Sequence, residues 1–293
     1  MELFKTAFFM VALMLLFVIV GGMIGGTGGM VIAFCIALGM NFFSYFFSDK
    51  MILKRYNAQP IASSHSLYHT TQRLCQKANL PLPKLYIIND LVPNAFATGR
   101  NPANAAVALT TGLLNILNDD EIAAVIAHEL GHVRHYDILT GSIAAVFAGG
   151  IAILANFAQF GAMLGSNQNR QNPILMIALA IIMPLAATII QMSISRSREF
   201  EADRFSASIT SPNALANALL KLDGSNAHAM VKNANEQTAH MFIISPFSSK
   251  NIASGISNLF RTHPTTRQRV ERLNELSHHN KNYQNPARKY FNS

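Results

Sequence analysis

Between Lys5 and Asp49 the chain carries no charged side chain. This run, TAFFMVALMLLFVIVGGMIGGTGGMVIAFCIALGMNFFSYFFS, is too long for one crossing of a hydrocarbon core about 30 Å thick, which takes about 20 helical residues. The glycines from Gly21 to Gly29 divide it into two spans, about Ala7–Gly22 and Gly29–Phe47. A cleaved signal peptide is the rival reading of the first span. Against it stand the lack of a small-x-small cleavage site and the second span that follows at once. A second uncharged region, Ile138–Ser195, is interrupted only by Arg170, and SNQNRQNP (Ser166–Pro173) breaks it into Leu139–Leu164 and Pro173–Ile194. A buried helical hairpin in a soluble domain is the rival here, and length favours the membrane. Four spans are expected.

The two remaining parts are polar and carry nearly all of the formal charge of +8. They contain no zinc knuckle, no aromatic–basic interleaving and no basic block, so nucleic acid is not an expected partner. The cations instead follow the positive-inside pattern. Lys50, Lys54 and Arg55 follow span two, Arg134 precedes span three, and Arg196 and Arg198 follow span four. The connectors on the other side hold only Arg170. The polar domain and both termini are therefore expected in the cytoplasm. Cys35 and Cys75 give no disulfide framework, in agreement with a reducing compartment. The division that results is a transmembrane hairpin over 1–48, a first polar part over 49–137, a second hairpin over 138–195 and a second polar part over 196–293.

Within the polar parts, helical spacing predicts a helix over Ser63–Leu80, capped by Ser63 or Ser64. Pro81–Asp90 reads as a strand, and Ala105–Leu109 is short and apolar, as in a strand. NDDEIAAVIAHELGHVRHYD is a helix, with Asn118 and Glu121 placed for a capping box. SISRSREFEADRFSASI reads as a further helix, and another starts at Ser211. THPTTRQRVERLNEL is a short amphipathic helix opened by Pro264, with a polar, frayed tail from Ser277.

The chemistry is concentrated in the capped helix. His128 and His132 are four apart, so both imidazoles share a face, and Glu129 lies beside the first. Hydrolytic zinc takes three protein ligands and an open water position, and a nearby carboxylate then removes the water's proton. Glu129 is placed for that, whereas a structural zinc site has no use for it. His135 is a tempting third ligand, but it lies roughly 10 Å from His128 along the axis, too far for one ion. It reads as a helix-end histidine near the membrane surface. Glu199, Glu201 and Asp203 compete for the third position. Glu199 and Asp203 share a face at i, i+4, where one carboxylate can bind metal and the next can fix a histidine tautomer. Glu201 points elsewhere and reads as a solvated charge paired with Arg198 or Arg204.

HELGH, then two apolar spans, then REFEAD, with NAFATG upstream and HPTTRQRV downstream, resembles the HtpX family of membrane metalloproteases, relatives of the CAAX prenyl endopeptidases. The resemblance covers nearly the whole chain, in order, and the four blocks together are highly specific. It implies a mainly α multi-span membrane protein with a small β-sheet and a gluzincin-like cytoplasmic metalloprotease domain. It further implies a zinc endopeptidase of the bacterial inner membrane, holding one Zn(2+) per chain, that degrades damaged, unfolded or misassembled membrane proteins beside the lipid bilayer. Carried over residue by residue, the metal ligands are His128, His132 and Glu199, the base is Glu129, and Asp203 is the carboxylate behind a histidine ligand. Relatives often have Asn where this chain has His135, which changes no catalytic role. By analogy, an oxyanion donor is required. His263, with Arg269 six residues on, is the candidate, an N-cap or surface histidine being the rival reading. Ala105–Leu109 is the candidate edge strand for adding an extended substrate, an ordinary core strand being its rival.

Other classes fit less well. A membrane-anchored metal-binding scaffold without protease activity would not need Glu129. A transporter would carry ionisable residues in its spans, and these have none apart from the connector. A CAAX-type processing enzyme usually carries more spans. A site-2-type intramembrane protease would place HEXXH within a greasy span, whereas Asp119, Asp120, Glu121, Arg134 and Asp137 flank it here.

Overall fold

The computed structural model describes residues 2–141, 143, 196–226 and 264–284. Most of the second apolar region, and with it spans three and four, lies outside the described residues, as do His263 and the tail after Gln284.

The first apolar run forms α1 (Glu2–Arg55), which is two helices joined at a kink where Gly25 and Gly26 leave helical geometry. Gly26 has φ +57° and ψ −145°, a conformation that only glycine takes without strain. The chain thereby folds back on itself, and Leu13 and Phe17 pack against Ala33 and Ala37. The Asn41 side-chain amide donates to the Met10 carbonyl at 2.9 Å, which joins the two arms. Gly25–Phe47 is long and apolar enough to cross a membrane, with mean hydropathy 1.9, and Thr6–Gly22 is a shorter apolar helix.

Four strands follow, β1 (Gln59–Pro60), β2 (Lys84–Ile88), β3 (Ala95–Gly99) and β4 (Ala105–Thr110), in the sheet order β1-β2-β4-β3. β2 and β4 run parallel, and the other pairs are antiparallel. Helix α2 (Ser66–Ala78) lies between β1 and β2 in the chain, and α3 (Thr111–Ile116) and α4 (Asp119–Arg134) follow β4. After the second apolar region come α5 (Arg196–Ile209), α6 (Pro212–Asn226) and α7 (Thr266–Gln284).

The expected edge strand is corrected here. β4 is paired on both sides and all six of its residues are buried. Val107 and Leu109 face a core shared with α2, α4 and α6, while Ala106 and Ala108 face Leu53 and Tyr56 at the end of α1. A strand buried on both faces reads as a continuous apolar run, which is why AAVAL is a central strand. The edge is β3.

Three helix ends also differ from the sequence reading. His65, rather than Ser63 or Ser64, caps α2, its Nδ1 accepting from the Leu67 amide at 3.2 Å. Thr265 caps α7: its hydroxyl accepts from the Gln268 amide at 3.2 Å, and the Gln268 side chain accepts from the Thr265 amide at 3.1 Å. Pro264 therefore precedes the helix, which continues through the expected tail to Gln284.

Candidate active site

Helix α4 is the central element. Asn118 Oδ1 accepts from the Glu121 amide, and Glu121 Oε2 accepts from the Asn118 amide, both at 2.9 Å. This reciprocal cap is the one the sequence predicts. Asp119, Asp120 and Glu121 place negative charge in the first turn, where the helix dipole favours it. Ala124 to Ala127, Leu130 and Val133 are fully buried, so the polar side chains between them must find partners inside the protein.

Those partners come largely from α5. The Ser206 hydroxyl donates to the Ala124 carbonyl at 2.7 Å, and Gly131 faces Ala202 so closely that a Cβ on Gly131 would stand 3.0 Å from the Ala202 Cα. This approach brings Glu199 to the two histidines. His128 Nε2 and His132 Nε2 are 3.2 Å apart, and the Glu199 carboxylate lies 3.7 Å from the first and 3.5 Å from the second.

The tautomers follow from the other ring nitrogens. His128 Nδ1 meets Asp203 Oδ1 at 2.9 Å, and His132 Nδ1 meets Asp137 Oδ2 at 3.0 Å. A carboxylate only accepts, so in the neutral rings both protons sit on Nδ1 and both Nε2 atoms present lone pairs to each other. Two lone pairs and a carboxylate converging in a buried space are satisfied by a cation. Zinc bonds of about 2.0–2.1 Å in tetrahedral geometry put ligand atoms about 3.3 Å apart, close to the three separations found. His128, His132 and Glu199 can therefore hold a metal ion, and the donor set of two imidazoles and one carboxylate suits zinc.

Glu129 is buried beside this cluster. Burial pushes its carboxyl up to about 7, with His132 opposing, Glu199 adding, and a hydrogen bond from the Ala97 backbone and the Arg269 charge both opposing. A carboxyl beside the cluster that is not needed to hold a metal is placed to take and return a proton.

Arg269, on α7, is 1% exposed. Its Nε and Nη2 donate to the two Asp203 oxygens at 2.8 and 2.6 Å, and Nη1 lies 3.3 Å from Glu199. Burial alone would raise the Asp203 carboxyl, but Arg269 and His128 outweigh it and hold it below the ordinary value. Burial lowers His128, Arg269 adding to this while Asp203 opposes it, so the ring stays neutral as a metal ligand must.

The structure thus brings together His128, Glu129, His132, Glu199 and Asp203, as the sequence predicts. Glu201 is exposed, and His135 is the C-cap of α4, outside the cluster. Arg198, expected as a partner of Glu201, feels the Glu201 charge and also pairs with Asp137. The oxyanion candidate His263 lies outside the described residues, and Arg269, grouped with it from the sequence, is turned onto Asp203. Sequence reasoning missed Asp137. It sits five residues after His132, off the helical face, and reaches the ring only because Tyr136 takes φ +63° and breaks the helix. No glycine or asparagine marks that break.

A capped, buried helix bearing both histidines and the glutamate, with a carboxylate delivered from a second helix, defines a metal-dependent peptidase. The profile of peptidase family M48 matches residues 62–277, and the chain belongs to that family, among its HtpX proteases. It is 60% identical over 282 residues to the protease HtpX homolog of Campylobacter concisus, covering 94% of this chain and 97% of the relative. It is 50% identical over 278 residues to that of Paraburkholderia phytofirmans, covering 93% and 96%. The fold is similar to the crystal structure of S. mikatae Ste24p, with a TM-score of 0.56 at 18% identity, covering 89% of this chain and 62% of that one. The protein is a metalloprotease.

Proposed function

We propose that the protein is a membrane-integrated zinc endopeptidase that cleaves damaged or misassembled membrane proteins at the cytoplasmic face of the bacterial inner membrane. His128, His132 and Glu199 hold one zinc ion, Glu129 is the catalytic base, and Asp203 orients His128. The chain is organised as a membrane hairpin over 1–48, a second over 138–195, and a protease domain assembled from 49–137 and 196–293. The observation that carries the reading is the pair of imidazole lone pairs 3.2 Å apart, closed by Glu199 and flanked by a buried Glu129.

When bound, the zinc acidifies water and polarises the peptide carbonyl. Glu129 takes the proton of the attacking water on its carboxylate and delivers it to the departing amine. Asp203 and Asp137 keep both histidine protons on Nδ1, and Arg269 keeps Asp203 ionised inside the fold. β3 is the edge strand beside Glu129, buried except at half-buried Ala97, whose backbone hydrogen-bonds the Glu129 carboxylate. Thr110 donates to the Asn94 carbonyl, and continuing that alternation along the register turns the Ala95, Ala97 and Gly99 peptide groups outward. An extended, unfolded segment would add to that edge by displacing what covers it and taking the Ala97 amide from Glu129, which selects against folded substrates. His263 remains the candidate oxyanion donor.

The test is metal content and casein proteolysis of detergent-purified protein beside Glu129→Gln. The variant should bind zinc at the wild-type stoichiometry and lose turnover by at least about 100-fold, the usual scale for a general base. Substantial remaining activity would remove Glu129 from its role.

A further inference from the structure

Each histidine of the cluster is backed by a carboxylate, and each carboxylate by a buried or nearly buried arginine. For His128 the series is Asp203 and Arg269. For His132 it is Asp137 and Arg198: Asp137 Oδ2 meets His132 Nδ1 at 3.0 Å, and Asp137 Oδ1 pairs with Arg198. Side-chain exposures of 16% for His132 and 11% each for Asp137 and Arg198 place this second series in the protein rather than in free solvent.

The second series has a distinct position in the chain. Asp137 is the last residue before the second apolar region, and Arg198 follows soon after that region and directly precedes Glu199. The ion pair therefore draws together the two ends of the apolar region and joins the end of α4 to the start of α5. Both elements carry side chains of the metal cluster.

We propose that Asp137 is a positioning residue for the metal, fixing the tautomer and direction of His132, and that Arg198 holds Asp137 in place and so links the ends of the second apolar region to the geometry of the site. The proposal rests on His132 being a metal ligand. A carboxylate on Nδ1 leaves Nε2 unprotonated and makes it a better donor, and outer partners of this kind typically contribute about 10–100-fold in metal affinity. The Arg198 guanidinium, through Nη1 on Asp137 Oδ1, holds the carboxylate in place while Oδ2 meets His132. The break at Tyr136 is what permits the contact, since a continuous helix would carry residue 137 away from the ring of residue 132.

The experiment uses the full chain in detergent, with zinc affinity read by chelator competition and ligand geometry by the visible spectrum of the cobalt-loaded protein. Asp137→Ala should weaken zinc binding by about 10–100-fold and shift the cobalt bands. Asp137→Asn, which keeps an oxygen for the Nδ1 proton, should lose less. Arg198→Ala should lose less than Asp137→Ala, and Arg198→Lys should recover part of that loss. The double variant Asp137→Ala/Arg198→Ala should bind no more weakly than Asp137→Ala, because both act through one contact. Zinc affinity within about twofold of wild type and an unchanged cobalt spectrum in Asp137→Ala would overturn the proposal, and additive losses in the double variant would overturn the role of Arg198. If Asp137→Ala does not fold, wild-type affinity in Asp137→Asn together with Arg198→Ala overturns it instead. His132→Ala is the separating control: metal retained there refutes the ligand assignment itself rather than this extension of it.

Discussion

Glu129 and Asp203 are both buried carboxyls within one cluster, yet their surroundings shift them in opposite directions. Burial pushes Glu129 up to about 7, whereas an unfolded glutamate titrates near 4.3. Between those values the unfolded chain has already released the proton that the folded chain keeps, so the metal-free protein loses stability as pH rises and levels off above about 7. The difference is roughly 4 kcal/mol. Glu129→Gln removes the charge and keeps the shape, so the metal-free variant should melt above the metal-free wild type at pH 8 and match it near pH 4.5. A gap of equal size at both pH values would mean that the carboxyl is not desolvated. Asp203 has the reverse sign. Burial would raise it, but Arg269 and His128 hold it down, so its stabilisation is complete above the unfolded value of about 3.9 and fades only as pH falls below that. The residues readable from sequence at this scale are those whose relation is local. His128 with His132, and Glu199 with Asp203, are each one helical turn apart. Arg269 reaches Asp203 across 66 positions, and Asp137 reaches His132 through a backbone break without a sequence mark, so neither role was legible.

The elements were legible where a local rule decided them and misread where packing did. The reciprocal cap of Asn118 and Glu121 fixes the start of α4, and the glycines at 25 and 26 fix the fold-back of α1. The central position of β4 depends on β2 and β3 flanking it, which the strand's own residues do not state. The caps at His65 and Thr265 lost to nearby Ser63, Ser64 and Pro264 in the sequence because several adjacent residues can serve that purpose. The contact of α4 with α5 is the element-scale feature on which the site depends most. At Gly131 the two helices come close enough that an added Cβ would press on Ala202 and Phe205, and Glu199 stands less than one turn before Ala202. Gly131→Val should therefore push α5 away from α4. The expected outcome is a loss of about 1–3 kcal/mol in stability from overpacking, with a fall in zinc affinity from displacement of Glu199. Thermal melting and chelator competition on the same preparation check both. Wild-type metal affinity in a destabilised variant would show that the cluster tolerates separation of its helices.

On the scale of the whole molecule, the proposed topology makes the distance between the cluster and the membrane a determinant of which substrates can be cut. Residues 137–141 resume a helix directly after the break at Tyr136. Leu139 and Ile143 pack against Phe9 in the first arm of α1, with Tyr45 of the second arm alongside, and the Thr6 and Thr140 hydroxyls meet at 3.2 Å. The start of the second apolar region is thus seated against the first hairpin, at the end where the cations Lys50, Lys54 and Arg55 follow in sequence. His132 lies six residues before Ile138, and Glu199 a few residues past Ser195. With the proposed spans, and taking 1.5 Å per residue as a helical scale, the metal site would fall within roughly 10–15 Å of the membrane boundary. A substrate strand pairing with β3 would then have to be extended and close to the bilayer, so unfolded segments next to a membrane anchor should be cleaved best. The measurement is a membrane-tethered reporter with one unstructured cleavable segment placed at increasing distance from its span, in membranes containing the wild-type protein or Glu129→Gln. Cleavage should be fastest near the span, should fall as the segment moves away by more than a few nanometres, the length of a ten-residue extended chain being about 3.5 nm, and should be absent with Glu129→Gln. A rate that ignores both tethering and distance would mean that the site is open to bulk solvent and that proximity to the membrane does not select the substrate.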